Sequence, residues 1–283
     1  MRPRFTRISN MNLFHLITSR PVTRVPLVVI AAVMVAVFGC VASTLADDLQ
    51  PPSEARSIKA LLVTGGCCHD YDAQRVILTE GLSQRLGKME WTIRQYGTAK
   101  DSRAEIYDNP DWAMGYDLVV HNECFGAMQD SALVERIIEG HRREKVPAIF
   151  VHCSMHSYRT SSAAEAWREF VGVTSTFHEK SHRPLEVIPT ATGTTSGLVE
   201  PLDGKWKTPN GELYVITKVW PGTNVLATAY STEQKSDQPV IWTRDDQGVK
   251  VFGTTLGHHN ETMRSEPWQQ IVAAGAKWAL GRE

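Results

Sequence analysis

Acidic residues are missing from the first 46 positions of this 283-residue chain, where Arg2, Arg4, Arg7, Arg20 and Arg24 are the charged side chains. That imbalance sets the stretch apart from an ordinary globular domain. Arginines first, then the apolar run "VPLVVIAAVMVAVFGCVASTLA" (25–46), then Asp47 and Asp48, make the pattern of a secretory signal. Cleavage after Ala46 fits, with Thr44 and Ala46 at the small-residue positions. The alternatives are an uncleaved anchor, since the run is nearly long enough to span a bilayer, and lipidation of Cys40. The expectation is an exported protein, periplasmic or extracellular. It touches a membrane only if that N-terminal segment is retained.

A basic stripe is missing too. Removing those five arginines from the 30 Lys and Arg leaves 25 against 31 Asp and Glu, a net charge of −6. Nucleic acid is therefore not an expected partner. Cysteine is scarce, at five residues. Cys40 leaves with the signal, and Cys67, Cys68, Cys124 and Cys153 show no C-x-x-C or zinc-finger spacing. In an oxidising compartment a disulfide can persist. The expected bond joins Cys67 or Cys68 to Cys124, because the adjacent pair bonds to itself only with strain. No internal repeat appears at a fixed period, so the chain is not an array of small units.

What is present is a regular alternation. Residues 47–57 form a polar, proline-containing tether, and the folded part is expected from 58 to 283. "KALLVTG" (59–65), "DLVVHNE" (117–123) and "PAIFVHCS" (147–154) are short apolar runs of buried strands, and "MEWTIRQY" (89–96) alternates. Between them, 72–86, 130–144 and 162–172 carry helical spacing. Strands alternating with helices of this length predict an α/β domain with a mostly parallel sheet. The second half is richer in strands: 184–189, 212–217, 224–230 and 239–257, the last folded at "RDDQG" into a hairpin. Residues 190–210 read as a long loop, and 267–281 as a closing helix.

Open parallel sheets bind ligands at the carboxyl ends of their strands. The first strand is followed by His69 and Asp70. The third ends at His121, Glu123 and Cys124, the fourth at His152, Cys153 and His156, and the last at His258, His259 and Glu261. Four strand ends thus deliver imidazoles to one rim. Imidazole ligates metals and moves protons near neutral pH, and Glu123, Glu212 or Glu261 would complete a metal shell or act as acid or base. Because the histidines come from separate strands, spacing alone does not choose between a functional cluster and polar residues that merely hydrogen-bond in a cleft. His178 is expected to fold back over the cleft and His182 to face water. Trp206 and Trp220, in loops, are candidates to stack on a sugar ring or to pack at an edge.

A second constellation uses sulfur. Cys153 sits between a strand and a helix, where a thiolate would be favoured. His259 and Glu261 would then be its base and orienter. The bland alternative is a buried small residue.

In order along the chain, "LLVTGG…H", "FVHCSMHSY", "W…FVG…FH", "GELYVI", "VLATA", "PVIWTR…GVKVFGTTLGHHNETM" and the closing helix resemble the trehalose-utilisation, ThuA-like domain family over roughly 58–281. "TTLGH" is the most specific element. The resemblance implies a flavodoxin-like three-layer α/β sandwich similar to class I glutamine amidotransferases. It places His69, His152, His178, Glu212, Gly257 and His258 at the family's motif positions. Amidotransferases carry a nucleophilic cysteine at the elbow where Cys153 falls, whereas ThuA-like proteins generally do not. The resemblance further implies action on a disaccharide or 3-keto sugar, as a hydrolase, lyase or isomerase. His152 and His258 would be central, with Glu212, His259 and Cys153 as further catalytic candidates. His69, His121, His152, His178 and His258 would be ligands for a divalent metal ion. A Cys153–His259 hydrolase and a non-catalytic carbohydrate-binding protein stay open beside this reading, and the oligomeric state is not read from the sequence.

Overall fold

The computed structural model describes residues 56–282. The signal or anchor and nearly all of the tether lie outside the described residues. Among the described residues, no helix is long and apolar enough to cross a membrane.

The chain opens with β1 (Ile58–Gly66), α1 (Tyr71–Leu86), β2 (Met89–Tyr96), β3 (Leu118–Cys124), α2 (Ser131–Glu144), β4 (Ala148–Val151) and α3 (Ala164–Val171). Then follow β5 (Val173–His178), β6 (Glu186–Pro189), α4 (Ala191–Ser196), β7 (Trp206–Lys207), β8 (Tyr214–Val219), β9 (Thr223–Ser231), β10 (Ser236–Asp246) and β11 (Val249–Thr254). Helices α5 (Asn260–Arg264) and α6 (Glu266–Leu280) close the chain. One nine-stranded sheet has the order β2-β1-β3-β4-β11-β10-β9-β6-β7. The first five strands are mutually parallel, and β10, β9, β6 and β7 extend the sheet antiparallel. Strands β5 and β8 form a separate antiparallel pair.

Strand side chains alternate between two faces, so each central strand feeds two cores. Ala60, Leu62, Leu118, Val120, Ile149 and Val151 pack towards Ile77, Leu78 and Leu82 of α1 and Ile271 and Val272 of α6. Leu61, Val63, Val119, Ala148 and Phe150 pack towards Leu133 and Ile137 of α2 and Trp167 and Phe170 of α3. Each such aliphatic side chain contributes about 1.5–3 kcal/mol when fully buried. The result is the expected three-layer α/β sandwich, with parallel strand ends along one edge.

Gly65 and Gly66, both at positive φ, turn the chain out of β1. A side chain on either would strike the backbone at Tyr96 or Cys124. Asp70 then caps α1 by accepting from the Ala73 amide. Residues 190–210 are not one loop. Thr190 caps α4 through its hydroxyl, a 3-10 turn covers Glu200–Leu202, and β7 pairs with β6. "ATGTTS" has no apolar periodicity; its helix is held by the cap and by close packing of Gly193 on Leu226.

Candidate active site

Three strand ends meet. His69 follows β1, His152 follows β4 and His258 follows β11. One ring nitrogen from each lies within 4.8 Å of the other two. His152 stands at the strand-to-turn elbow with φ +47°, the left-handed region. Gly257, at φ +143°, lets the last strand's loop pass against it: a Cβ there would lie 3.0 Å from Val151 and 3.3 Å from the His152 Cβ. Gln74 donates to the Gly257 carbonyl (3.0 Å) and receives Asn122 (3.2 Å), which fixes this loop against α1 and β3. Across the mouth, Asn260 donates to Asp70 (2.9 Å).

Glu212 is the hub. Its Oε2 lies 3.1 Å from His152 Nε2 and 3.3 Å from His258 Nδ1. Its Oε1 lies 3.3 Å from both His178 Nδ1 and His182 Nε2.

Fixed partners decide the tautomers. The Tyr71 hydroxyl donates to the Cys67 carbonyl (3.0 Å), so its oxygen accepts from His69 Nδ1 (3.1 Å). The Thr255 carbonyl can only accept, so it takes the proton of His152 Nδ1 (2.6 Å). Both rings therefore keep the proton on Nδ1 and leave Nε2 as a lone pair. His69 Nε2 faces His258 Nδ1 at 3.1 Å. His152 Nε2 is buried with no hydrogen-bond partner, its lone pair turned to the Glu212 carboxylate.

The electrostatics agree. Burial, helped by His152 and His258, lowers the His69 pKa to about 2. Burial also lowers that of His152, although Glu212 pulls the other way. Burial alone would raise Glu212, but the imidazoles beside it, with His258 Nδ1 as the donor, prevail and hold it below the usual carboxylate range. His69 and His152 are thus neutral near an ionised carboxylate, and two acceptors, His152 Nε2 and Glu212 Oε2, face each other without a proton between them. A divalent cation or a donor group of a ligand would relieve that opposition. The donor set, three imidazole nitrogens and one carboxylate, suits zinc or a similar ion.

His69, His178, His258 and Glu212 line a cavity of about 160 Å³ together with Tyr214, His156, Arg159, Lys100 and Cys153, and His152 is buried beside them. A more open cavity of about 470 Å³ adjoins it past Asp70, His258, His259 and Asn260. A larger cavity of about 590 Å³ lies beside α4 and Trp278, and its lining has no titratable side chain.

Other expected residues fall elsewhere. His121 does not join the cluster. Strand β3 continues to Cys124, so His121 is inside it, on the α2 and α3 face. It stacks on Phe150 and bonds His141 (3.0 Å). Glu123 turns the same way, 3.2 Å from His121. Cys153 carries no free thiol: it is bonded to Cys124, and Cys67 to Cys68. The expected Cys67 or Cys68 bond to Cys124 is therefore replaced. Positive φ at Gly65, Gly66 and Cys68 coils the chain so that the adjacent sulfurs meet. His259 packs on His258 and His182 in the outer ring, while Glu261 is exposed. Neither Trp206 nor Trp220 lines the imidazole cavity; Trp220 donates to Thr174 (3.1 Å).

The ThuA family, described as trehalose utilisation, matches residues 60–279. The chain belongs to the ThuA family. Two ThuA-like structures superpose on it. One, from Parabacteroides merdae, has a TM-score of 0.62 at 19% identity, covering 80% of this chain and 90% of that one. The other, from Bacteroides uniformis, has a TM-score of 0.59 at 13% identity, covering 81% and 94%. A glutaminase domain of Trypanosoma brucei CTPS has a TM-score of 0.47 at 10% identity, covering 78% and 94%. No curated protein matches the chain.

Strand-end reasoning misses His182. It directs attention to residues directly after each parallel strand, and His182 lies beyond an antiparallel one. The signal was local: "HEKSH" (178–182) has the H-E-x-x-H spacing of zinc-binding helices. Here the segment is irregular chain after β5. Both imidazoles still reach Glu212, whereas Glu179 turns away to Arg183 (2.8 Å) and Ser231 (2.8 Å).

Proposed function

We propose that this ThuA-family protein is an exported enzyme acting on a disaccharide or 3-keto sugar, by proton transfer next to a carbonyl. The observation that carries the reading is the imidazole pair His69 and His258 beside an ionised Glu212: the His69 Nε2 lone pair faces His258 Nδ1 at 3.1 Å, so His258 holds a proton there and its own Nε2 is the lone pair left for substrate. Such a group is already in the form a general base requires. The inner cavity is smaller than the roughly 300–1,000 Å³ of a typical ligand pocket. It admits one end of a substrate, and the remainder lies in the adjoining open cavity.

Within this site His258, whose side chain is 19% exposed, takes the proton from carbon. Glu212 stabilises the imidazolium so formed, and the Arg159 and Lys100 cations oppose the charge that develops on the carbonyl oxygen. Tyr71 and Thr255 keep His69 and His152 in their tautomers. A divalent ion held by His69, His152, His258 and Glu212 would supply Lewis-acid polarisation of the carbonyl.

The experiment is turnover of 3-keto-disaccharides and their parent disaccharides by wild type, His258→Ala and Glu212→Gln, with metal content measured in each. Both variants are expected to lose roughly 10²–10⁴-fold in turnover. Equal turnover in wild type and His258→Ala removes that imidazole from the reaction. Sugar binding with no product under any metal condition establishes a carbohydrate-binding protein instead.

A further inference from the structure

The four cysteines of the folded part lie together at the rim of the imidazole cavity. Exposure falls from the outer disulfide to the inner one: Cys68 is exposed and Cys67 half-buried, whereas Cys124 and Cys153 are 3% and 7% exposed. The two disulfides are in contact, with Cys67 Sγ 3.8 Å from Cys124 Sγ. At the inner end, Cys124 Sγ, Cys153 Sγ and a His69 ring nitrogen lie within 4.8 Å of one another. An exposed disulfide thus abuts a buried one, and the buried one abuts the pocket.

We propose that these disulfides form a thiol–disulfide exchange relay that delivers reducing equivalents from an external dithiol at Cys68 to Cys153 inside the pocket. This does not depend on the sugar reaction. A thiolate of the dithiol attacks Cys68 Sγ; the Cys67–Cys68 bond breaks and Cys67 leaves as thiolate. The second thiol of the reagent closes on the first, forming the reagent's own disulfide and releasing Cys68. Cys67 then attacks Cys124 Sγ, forming Cys67–Cys124 and releasing Cys153. The dithiol loses two electrons and two protons; the protein gains both, as thiols at Cys68 and Cys153. The pocket then presents a thiol beside its imidazoles, carboxylate and cations.

Opposite outcomes from two neighbouring substitutions test the relay. Samples are acid-quenched, alkylated in denaturant and peptide-mapped. With one equivalent of dithiothreitol, wild type is expected to label Cys68 and Cys153 equally and to carry a Cys67–Cys124 bond. Cys68→Ser leaves Cys67 as a permanent thiol beside Cys124. It is expected to show Cys153 free without any reductant. Cys67→Ser breaks the path, and Cys153 labelling at one equivalent is expected to fall at least tenfold. The relay is overturned if wild type releases Cys67 and Cys68 alone, if Cys153 stays bonded in Cys68→Ser, or if the purified chain holds four thiols. Should either variant fail to fold, the wild-type map decides.

Discussion

Two groups of histidines in this molecule look alike on paper and differ in what they leave over. His121 and His141 touch at 3.0 Å with Glu123 3.2 Å away. His69 and His258 touch at 3.1 Å, and Glu212 is 3.1 Å from His152 and 3.3 Å from His258. In the core pair each nitrogen has a partner. His141 Nδ1 donates to the Val146 carbonyl (2.8 Å), so its Nε2 accepts from His121 Nε2, and His121 Nδ1 pairs with Glu123. In the pocket the same count leaves the His152 lone pair facing a carboxylate. A cluster of imidazoles is therefore not a site by composition. It becomes one where a lone pair is left without a partner and the cluster borders an opening.

The sharpest way to break the comparison is to remove each hub. Glu212→Gln should cost about 10²–10⁴-fold in turnover while the folded molecule persists, checked by circular dichroism and steady-state kinetics on keto-sugars. An unchanged rate would place the two groups in the same class. Next in size, His141→Ala should destabilise the fold by about 2–4 kcal/mol, from the cavity and the unpaired His121 and Val146 groups. Denaturant melts measure it, and turnover per folded molecule should stay at wild-type level.

A third effect separates the groups less and sums over both. Burial lowers His141 and His156 to about 3 and His69 to about 2. Each folded-state pKa lies below the unfolded value near 6.5, so between these values the unfolded chain binds the extra proton. Stability is therefore full above about pH 6.5 and falls as pH drops towards 3. Each imidazole contributes a slope of about 1.4 kcal/mol per pH unit. Melts from pH 7 to 4 should show this loss; a flat profile would mean these rings are charged in the fold. The smallest effect is expected at His182, which is half-exposed and touches only one carboxylate oxygen of Glu212. His182→Ala should change stability by less than about 0.5 kcal/mol and turnover by a few-fold.

Much of the frame was legible. Strands β1, β3 and β4 are apolar runs because helices cover both their faces, and the β10–β11 hairpin follows from "RDDQG", with Gln247 and Gly248 both at positive φ. His69, His152 and His258 were readable as strand ends, and Glu212 through the family resemblance. What was not legible depends on geometry between segments. All seven residues of β3 are buried, so no alternation in the sequence reveals that His121 faces inward. The pairing of four sulfurs depends on positive φ at Cys68, a conformation that residue type does not announce. The turn that brings His182 to Glu212 is irregular chain with no periodic signal.

The central claim is that His69 and His152 hold their proton on Nδ1 and keep Nε2 as a lone pair, towards His258 and Glu212 respectively. Nitrogen-15 labelling of histidine, with assignment of each ring's tautomer by long-range proton–nitrogen correlation at neutral pH, tests this directly. The account predicts that both rings are neutral, with Nδ1 protonated and Nε2 bare or bound to a metal. A charged imidazolium at either residue, or a proton on Nε2, would contradict it.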